Sequence, residues 1–445
     1  MNKIMTTVDF DKIDYDLEKI GKEMHDLMTE LFPICRSITG DGVRKTDDIL
    51  SQHMPLEIHE VPTGTKVFDW IVPKEWNIND AYIIDPNGEK IIDFKKSNVH
   101  IMSYSVPINE KMTLKELTPH LYTIPEKPDV IPYRISYYKE NWGFCLTHNQ
   151  FLNLEEGEYQ VVIDSSLKDG SLTYAECFLP GETDHEILVS CYTCHPSLCN
   201  DNLSGVVLST LLAKEISKIN SRKYSYRFLF VPETIGAITW LSLNESKLSN
   251  IKHGLVATCV GDTGNSTYKK SRNGNLYIDR VVTNVLKNSG DDYKIIDYFP
   301  PGSDERQYGS PGINLPVGSL MKTPYGDFPQ YHTSADNLDF VRPEGLADSF
   351  SKYMNIFYII ENDKTFVNLE PKGEPNLGKR GLYRTISGQQ DGYEKELAII
   401  SVLNLSDGNH SLLDISERTD IDFSLVKQSA DRLVETKLIE DSNSK

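Results

Sequence analysis

The chain has 445 residues, and its 65 Asp and Glu against 46 Lys and Arg give a formal net charge of −19. This length is sufficient for two or three domains with a substantial core. This excess of negative charge makes the phosphate backbone of a nucleic acid an unfavourable partner. The sequence contains no run of about 18 apolar residues, so neither a transmembrane helix nor a membrane partner is predicted.

The N-terminal sequence has no apolar signal region, so we expect a cytoplasmic protein. In that compartment the seven cysteines are expected to be reduced thiols rather than a disulfide framework.

The first 150 residues predict two kinds of structure. Apolar residues with helical spacing predict helices over 10–32 and 41–53, and we assign residues 1–60 to the same domain as residues 151–368. Residues 61–150 contain short β-branched and aromatic runs separated by Pro, Gly and Asn, which is typical of an all-β module. We interpret this module as an insert in that domain and as a candidate lid over it.

Residues 151–368 predict the main domain. The segments 158–164 and 172–178 have the pattern of a hairpin. Beyond them strands and helices alternate, which predicts an α/β fold with a doubly wound, mostly parallel sheet. The predicted strands cover 186–192, 226–231, 254–260 and 315–321, and the helices cover 204–219, 235–248, 277–287 and 343–361.

The segment from Cys191 to Asp201 is compatible with three kinds of site. Cys191-Tyr-Thr-Cys-His195 has the spacing of a c-type haem attachment site, which the expected cytoplasmic location disfavours. With Cys199 it also resembles a zinc or redox cluster, but no second Cys-x-x-Cys pair is present. The third possibility is a hydrolytic metal site, in which His195 and Asp201, six residues later, form one side.

Four chemically competent residues follow four predicted strands. His195, Glu233, Asp262 and His332 all lie after carboxyl ends, where ligands bind in open α/β sheets. Any one of them is explained as a helix cap or a structural hydrogen-bonding residue. Together with Asp201 they supply two imidazole nitrogens and two carboxylate oxygens, a set that suits Zn²⁺ and leaves Glu233 free to act as a general base.

These residues occur within longer motifs, which are His195, Asp201-Asn-Leu-Ser-Gly205, Glu233-Thr-Ile-Gly236, Gly261-Asp262, Ser303-Asp304 and Tyr331-His332-Thr-Ser-Ala-Asp336-Asn-Leu-Asp339. Their order resembles the zinc aminopeptidase family that includes bacterial leucine aminopeptidases and glutaminyl cyclase. The resemblance covers roughly residues 150–365. It implies that His195, Asp262 and His332 are zinc ligands, that Asp201 is a carboxylate bridging two zinc ions, and that Glu233 is the catalytic glutamate. The whole chain resembles bacterial aminopeptidase-like proteins associated with polysaccharide biosynthesis, whose C-terminal part is a winged helix.

One departure from the family pattern concerns the number of metals. The family has two adjacent glutamates, whereas here Thr234 follows Glu233, so the second zinc would lose a ligand. We therefore expect either one zinc ion or two, with Glu305 as a substitute ligand. Asp304 and Glu305 are also candidates to hold a substrate amine, while Arg306 and Tyr331 are candidates to face an oxyanion or a substrate carboxylate.

The C-terminal segment 378–445 follows a Pro- and Gly-rich linker at 371–377 and predicts a winged helix. From residue 376 onward it has nine Lys and Arg against twelve Asp and Glu, a composition unlike a DNA-binding face. A packing or dimerisation module, and hence a homo-oligomer, is the better interpretation.

Three functions remain open at this point. The first is a zinc-dependent aminopeptidase-like hydrolase that acts on a small peptide or amino-acyl substrate. The second is a catalytically degenerate protein that binds a metal or ligand and uses the winged helix for interaction. The third is an acyl transferase of the glutaminyl cyclase kind.

Overall fold

The structure is a computed structural model that describes residues 15–300, 302–382 and 390–442. It divides into two compact units. One contains the described residues up to Asp279 together with Asp291–Tyr353, and the other contains Arg280–Gly290 and the described residues from Met354 onward. The helix predicted over 10–32 is observed as Leu17–Leu31, and its first predicted residues, 10–14, lie outside the described residues.

The helices and strands are numbered in chain order. The helices are α1 (Leu17–Leu31), α2 (Asp41–Leu50), α3 (Leu114–Leu117), α4 (His148–Leu152), α5 (Ser204–Ser217), α6 (Ile235–Leu243), α7 (Tyr277–Asn288), α8 (Glu305–Tyr308), α9 (Pro343–Asn362), α10 (Gln390–Leu405), α11 (Leu412–Thr419) and α12 (Phe423–Glu435). The strands are β1 (Glu57–Pro62), β2 (Lys66–Val67), β3 (Trp70–Ile71), β4 (Glu75–Ile84), β5 (Lys90–Asp93), β6 (Ile108–Thr113), β7 (Leu121–Tyr122), β8 (Phe144–Cys145), β9 (Glu158–Lys168), β10 (Ser171–Leu179), β11 (Glu186–Tyr192), β12 (Ser225–Val231), β13 (Ile251–Ala257), β14 (Ser266–Lys269), β15 (Tyr293–Ile296), β16 (Val317–Met321), β17 (Thr365–Asn368), β18 (Asp407–Ser411) and β19 (Ile439–Asp441).

The first unit is built on an eight-stranded sheet with the order β1-β10-β12-β11-β13-β16-β14-β15. Its four central strands, β12, β11, β13 and β16, are parallel. Every residue of β11 and β12 is buried, as expected where helices cover both faces of a parallel sheet. The predicted α/β fold is confirmed, although the sheet is mixed, because β10 runs antiparallel to β1 and β12 and β14 runs antiparallel to β16.

The hairpin predicted over 158–164 and 172–178 is wrong, because its two strands belong to different sheets. Strand β9 pairs with β4 and β6 in a four-stranded sheet, whereas β10 pairs with β1 and β12 in the main sheet. Burial explains the separation: β9 alternates between buried and more exposed positions over its first half, while β10 is mostly buried. Strand β9 therefore extends the sheet of the β module beyond residue 150.

The second unit has the elements of a winged helix. Helices α10, α11 and α12 accompany a small antiparallel sheet in which β17 lies between β18 and β19. Strand β17 precedes the predicted linker at 371–377 and still pairs with strands that follow it. In the described part of the chain, no helix is long and apolar enough to cross a membrane.

Helix α2 carries a buried carboxyl group, that of Asp47, whose ionisation should make the stability of the protein depend on pH. Asp47 is fully buried, and neither of its carboxyl oxygens has a hydrogen-bond partner among the residues that the structure describes. Burial, reinforced by the nearby charges of Asp48 and Glu60, raises the pKa of Asp47 well above its ordinary value of 3.8. The folded chain thus keeps this proton to a higher pH than the unfolded chain, so ionisation of Asp47 lowers the free energy of unfolding as pH rises above that value.

We predict that Asp47→Asn stabilises the protein relative to wild type by an amount that grows with pH. The gain cannot exceed about 1.4 kcal/mol per pH unit for a single group. Urea unfolding at pH 5 and pH 8 measures it, and Asp69→Asn, the same change at an exposed position, is the control. An Asp47→Asn effect that is equal at the two pH values contradicts this interpretation.

Candidate metal centre and active site

His195 lies in the loop after β11, and a buried arginine fixes the backbone of that loop. Arg36 donates from Nε to the carbonyl oxygen of His195 at 2.9 Å and from Nη2 to that of Pro196 at 3.0 Å. Arg36 is 1 % exposed and His195 is 7 % exposed. The imidazole is therefore held at the carboxyl edge of the sheet with little freedom to move.

Asp201 lies in a tight turn just before α5, and Asp336 holds that turn. The Asp336 carboxyl group accepts the backbone N–H of Asn200 at 2.6 Å and that of Asp201 at 2.9 Å. The Tyr192 hydroxyl donates to Oδ1 of Asp201. These contacts leave the other carboxyl oxygen of Asp201, Oδ2, available for a different partner.

Two imidazoles converge on this free oxygen. Oδ2 of Asp201 lies 2.9 Å from Nε2 of His332 and 3.7 Å from Nε2 of His195. It is buried, and within the described parts of the chain no donor is aligned with it for a hydrogen bond. A buried anionic oxygen without a donor, placed between two imidazole nitrogens, is the arrangement that a zinc ion would complete.

The protonation states of the same residues suit a metal. Burial lowers the pKa of His195 to about 4, which leaves a neutral imidazole at pH 7. Burial opposes ionisation of Asp201, but His195 and then His332 outweigh it and lower the pKa of Asp201 to about 2. Neutral imidazole and ionised carboxylate are the forms that bind metals.

Glu233 follows β12 and lies beside this group. A ligand atom of Glu233 is within 4.8 Å of the corresponding atoms of Cys194 and His195. Its backbone N–H donates to Sγ of Cys194 at 3.2 Å. Burial, followed by the charges of Asp304 and Asp201, raises the pKa of the Glu233 carboxyl group well above its ordinary value. A carboxyl group with a raised pKa next to a metal site is suited to accept and donate a proton.

Thr234, Asp304 and Arg306 form a second cluster next to Glu233. The backbone N–H of Thr234 donates to Oδ1 of Asp304 at 2.7 Å, and Nη2 of Arg306 donates to the Thr234 hydroxyl at 2.8 Å. Asp304 is fully buried, and burial raises its pKa to about 7. Thr234 thus binds neighbouring side chains at the position where the family has a second carboxylate.

The structure does not bring Asp262 into the metal group. Strand β13 ends at Ala257 rather than at the predicted residue 260, which moves Asp262 further from the strand end. Its Oδ1 accepts the Gly264 N–H at 2.6 Å and the Thr323 hydroxyl at 2.8 Å, and its Oδ2 accepts Nδ2 of Asn200 at 2.9 Å. These contacts give Asp262 a structural role in the loop.

Glu305 is also engaged elsewhere. Its Oε1 lies 3.0 Å from Nζ of Lys269 in an ion pair whose two side chains are almost fully buried. The same oxygen accepts the Gly302 N–H at 2.9 Å and the Tyr325 hydroxyl at 3.2 Å. Removing Glu305 from Lys269 to reach a metal would leave an unpaired buried cation, which is strongly unfavourable.

Aromatic rings pack against both histidines. The ring of Tyr331 stacks on His332 with a centroid distance of 3.9 Å. Tyr133 contacts His195 and His332, each at 5.2 Å, and its N–H donates to the carbonyl oxygen of His332 at 2.8 Å. Tyr133 belongs to the β module, and no motif in its surroundings marked it as a site residue. The β module therefore supplies part of the wall of this site.

The role of Asp336 in positioning the turn that carries Asp201 leads us to predict that its loss weakens zinc binding. Asp336→Ala leaves two buried N–H groups without an acceptor, and we expect zinc affinity to fall about 10- to 100-fold, as for other groups that orient metal ligands. The control is Asp279→Ala, which removes a buried carboxylate that accepts the Ser271 and Leu276 N–H groups outside the metal group. Zinc titration monitored with a competing chelator should separate the two variants; equal affinities contradict the assigned role.

Comparison with known proteins extends these observations. A protein of Clostridium acetobutylicum, provisionally named a polysaccharide biosynthesis protein with an aminopeptidase-like domain, is 60 % identical over 419 residues, which cover 94 % of this chain and 96 % of the relative. The crystal structure of a protein from the same organism, provisionally named a peptidase, matches with a TM-score of 0.92 and 58 % identity over 96 % of this chain and 97 % of the other.

A zinc aminopeptidase from Bacillus subtilis shares the fold. The match has a TM-score of 0.58 at 12 % identity and covers 78 % of this chain and 96 % of the aminopeptidase. The resemblance expected from the sequence motifs is therefore confirmed at the level of the fold. The C-terminal part matches a family described as winged helix-turn-helix over residues 364–441, which confirms the predicted winged helix. Residues 25–363 match the model of the family described as domain of unknown function DUF4910, and the chain belongs to that family, with an aminopeptidase-like fold followed by a winged helix.

Proposed function

We propose that this protein is a zinc-dependent hydrolase that cleaves an amide or peptide bond of a small amino-acyl substrate. The observation that carries the proposal is the buried Oδ2 of Asp201, which lies between the Nε2 atoms of His195 and His332 and has no aligned hydrogen-bond donor among the described residues. The aminopeptidase-like fold supports the same conclusion.

We propose further that the site binds one zinc ion. His195, Asp201 and His332 supply three ligands, which is the number typical of catalytic zinc sites that keep a position open. The carboxylate that the family pattern places after Glu233 is absent at Thr234, while Asp262 accepts several hydrogen bonds and Glu305 is held by its buried ion pair with Lys269.

Glu233 would carry the proton in this reaction. A zinc ion at such a site supplies Lewis acidity toward the scissile carbonyl and toward water. Glu233 then accepts a proton from water and donates it to the leaving amine, which its raised pKa favours. Tyr133 and Tyr331 hold the two imidazoles in place by ring contacts.

The second candidate is a binding protein that retains the metal without turnover, and the loss of the second glutamate at Thr234 favours it. The name of the Clostridium acetobutylicum relative supports a substrate or ligand attached to a saccharide. For the acidic winged-helix unit we propose self-association or packing rather than nucleic-acid binding.

A zinc-supplemented screen of dipeptides, aminoacyl anilides and N-acylated amino sugars tests the proposal. We expect release of an amine that stops with a chelator and returns with one equivalent of zinc. Stoichiometric zinc binding without turnover of any class would support the binding protein instead.

A further inference from the structure

Arg306 is a cation whose hydrogen-bonding capacity is largely unused. A guanidinium group has five N–H donors. Within the described parts of the chain, the Arg306 side chain makes one hydrogen bond, from Nη2 to the Thr234 hydroxyl at 2.8 Å, and no ion pair. The side chain is only partly buried. Its remaining donors are therefore available to a ligand.

The hydrogen bond to Thr234 places Arg306 next to the proposed general base. Thr234 follows Glu233 directly in the chain, and Glu233 is within 4.8 Å of a ligand atom of His195. The positive charge of Arg306 acts on this part of the site, because it opposes the rise that burial causes in the pKa values of Glu233 and Asp304. A substrate bound at the metal group would thus lie within reach of this guanidinium.

The two acidic residues expected to hold a substrate amine are not accessible. Asp304 and Glu305 are each 0 % exposed. Asp304 accepts the backbone N–H of Thr234, and Glu305 is paired with Lys269 inside the protein. Of the charged side chains from α8 and the residue before it, Arg306 is the one that reaches the surface. This side of the site therefore favours an anion over an ammonium group.

We propose that Arg306 binds a carboxylate of the substrate, so that the preferred substrates are small amides with a free carboxylate close to the scissile bond. This inference rests on the proposed amide hydrolysis for the identity of the reacting bond. Arginine is suited to the task because its planar fork donates two parallel hydrogen bonds to a carboxylate. The Thr234 hydroxyl orients the fork by accepting from Nη2.

The test compares two probes that differ in one group, the dipeptide Leu-Gly and its C-terminal amide. Calorimetry on zinc-loaded Glu233→Gln measures binding without turnover. We expect Leu-Gly to bind about tenfold more tightly, which is typical of one charge-assisted contact. The protein's net charge of −19 favours the more cationic amide, so a preference for the acid must arise locally.

Three further variants in the Glu233→Gln background locate the preference. Arg306→Met should abolish it, and Arg306→Lys should restore part of it because the charge remains. Arg272→Met should leave it unchanged, since Arg272 also donates to a neutral acceptor, Oδ1 of Asn314 at 3.0 Å, but lies on an exposed loop. Circular dichroism of each variant establishes that the fold is retained.

Several results would overturn the inference. Equal binding of the two probes, tighter binding of the amide, or no binding of either would do so. A preference that persists in Arg306→Met would assign the carboxylate to another group, such as the metal. Turnover by the wild-type protein is judged separately: an intact, Arg306-dependent preference without any turnover contradicts the proposed hydrolysis and leaves the carboxylate site standing.

Discussion

Replacing His195 with alanine is expected to remove zinc from the protein. The change deletes one of three proposed ligands and leaves the buried Asp201 carboxylate with only His332 as a partner at Oδ2. Loss of groups that merely orient ligands lowers metal affinity by about 10- to 100-fold, so loss of a ligand should cost at least about 100-fold. Metal analysis after dialysis should find zinc in the wild type and none in His195→Ala.

Thermal unfolding gives a second readout of the same change. A ligand present at about 100 times its dissociation constant stabilises the folded state by about 2.7 kcal/mol, and the variant should lose that zinc-dependent gain. The control is His253→Ala, since His253 is a buried histidine on β13 outside the metal group. Zinc retention by His195→Ala, or zinc loss by His253→Ala, contradicts the assignment.

Replacing Glu233 with glutamine is expected to stop turnover while zinc remains bound. Glutamine keeps the shape of the side chain but cannot accept the proton, and a positioned general base contributes about 10²- to 10⁴-fold to rate. The measurement is kcat on any amide that the wild type hydrolyses, together with the zinc content of both proteins.

An exposed glutamate provides the matched control for this change. Glu245→Gln alters a residue beyond the far end of α6, at the opposite end of the helix from Glu233, and should leave kcat unchanged. If Glu233→Gln retains full activity, another residue takes the proton and the proposed mechanism is incorrect.

The parts of the fold that follow from periodicity could be predicted from the sequence. The alternation of apolar strands and helices after residue 186 gave the parallel centre of the sheet, and the observed bounds of α5 and α9 differ from the predicted ones by one or two residues. The pairing of β9 and β10 could not be predicted this way. A two-residue connection is typical of a hairpin, and only the tertiary arrangement shows that the two strands join different sheets.

The site was partly predictable for a related reason. Strand ends converge in a parallel sheet, so His195, Glu233 and His332 could be placed together from their positions in the sequence. That argument locates backbone atoms and not the direction of a side chain. Asp262 follows a strand as well, yet its carboxyl group turns back to the Gly264 N–H and the Thr323 hydroxyl.

Contacts between segments that are distant in the chain could not be predicted from the sequence. Tyr133 is placed beside the histidines by a backbone hydrogen bond from its N–H to the carbonyl oxygen of His332. No local sequence pattern encodes this contact between the β module and a distant segment. Asp336 could be recognised as part of a motif, but its role in holding the Asn200 and Asp201 N–H groups appears only in the fold.

The location and number of bound metals test the central claim most directly. Crystals grown with zinc should give, in diffraction data on either side of the zinc absorption edge, one anomalous peak per chain between Oδ2 of Asp201 and the Nε2 atoms of His195 and His332. A peak only at the Glu57, His59 and Glu176 group, which also brings three ligand atoms within 4.8 Å of one another, would contradict the account. Two peaks at the His195 group would contradict the single-zinc site, and no peak there would exclude the metal centre.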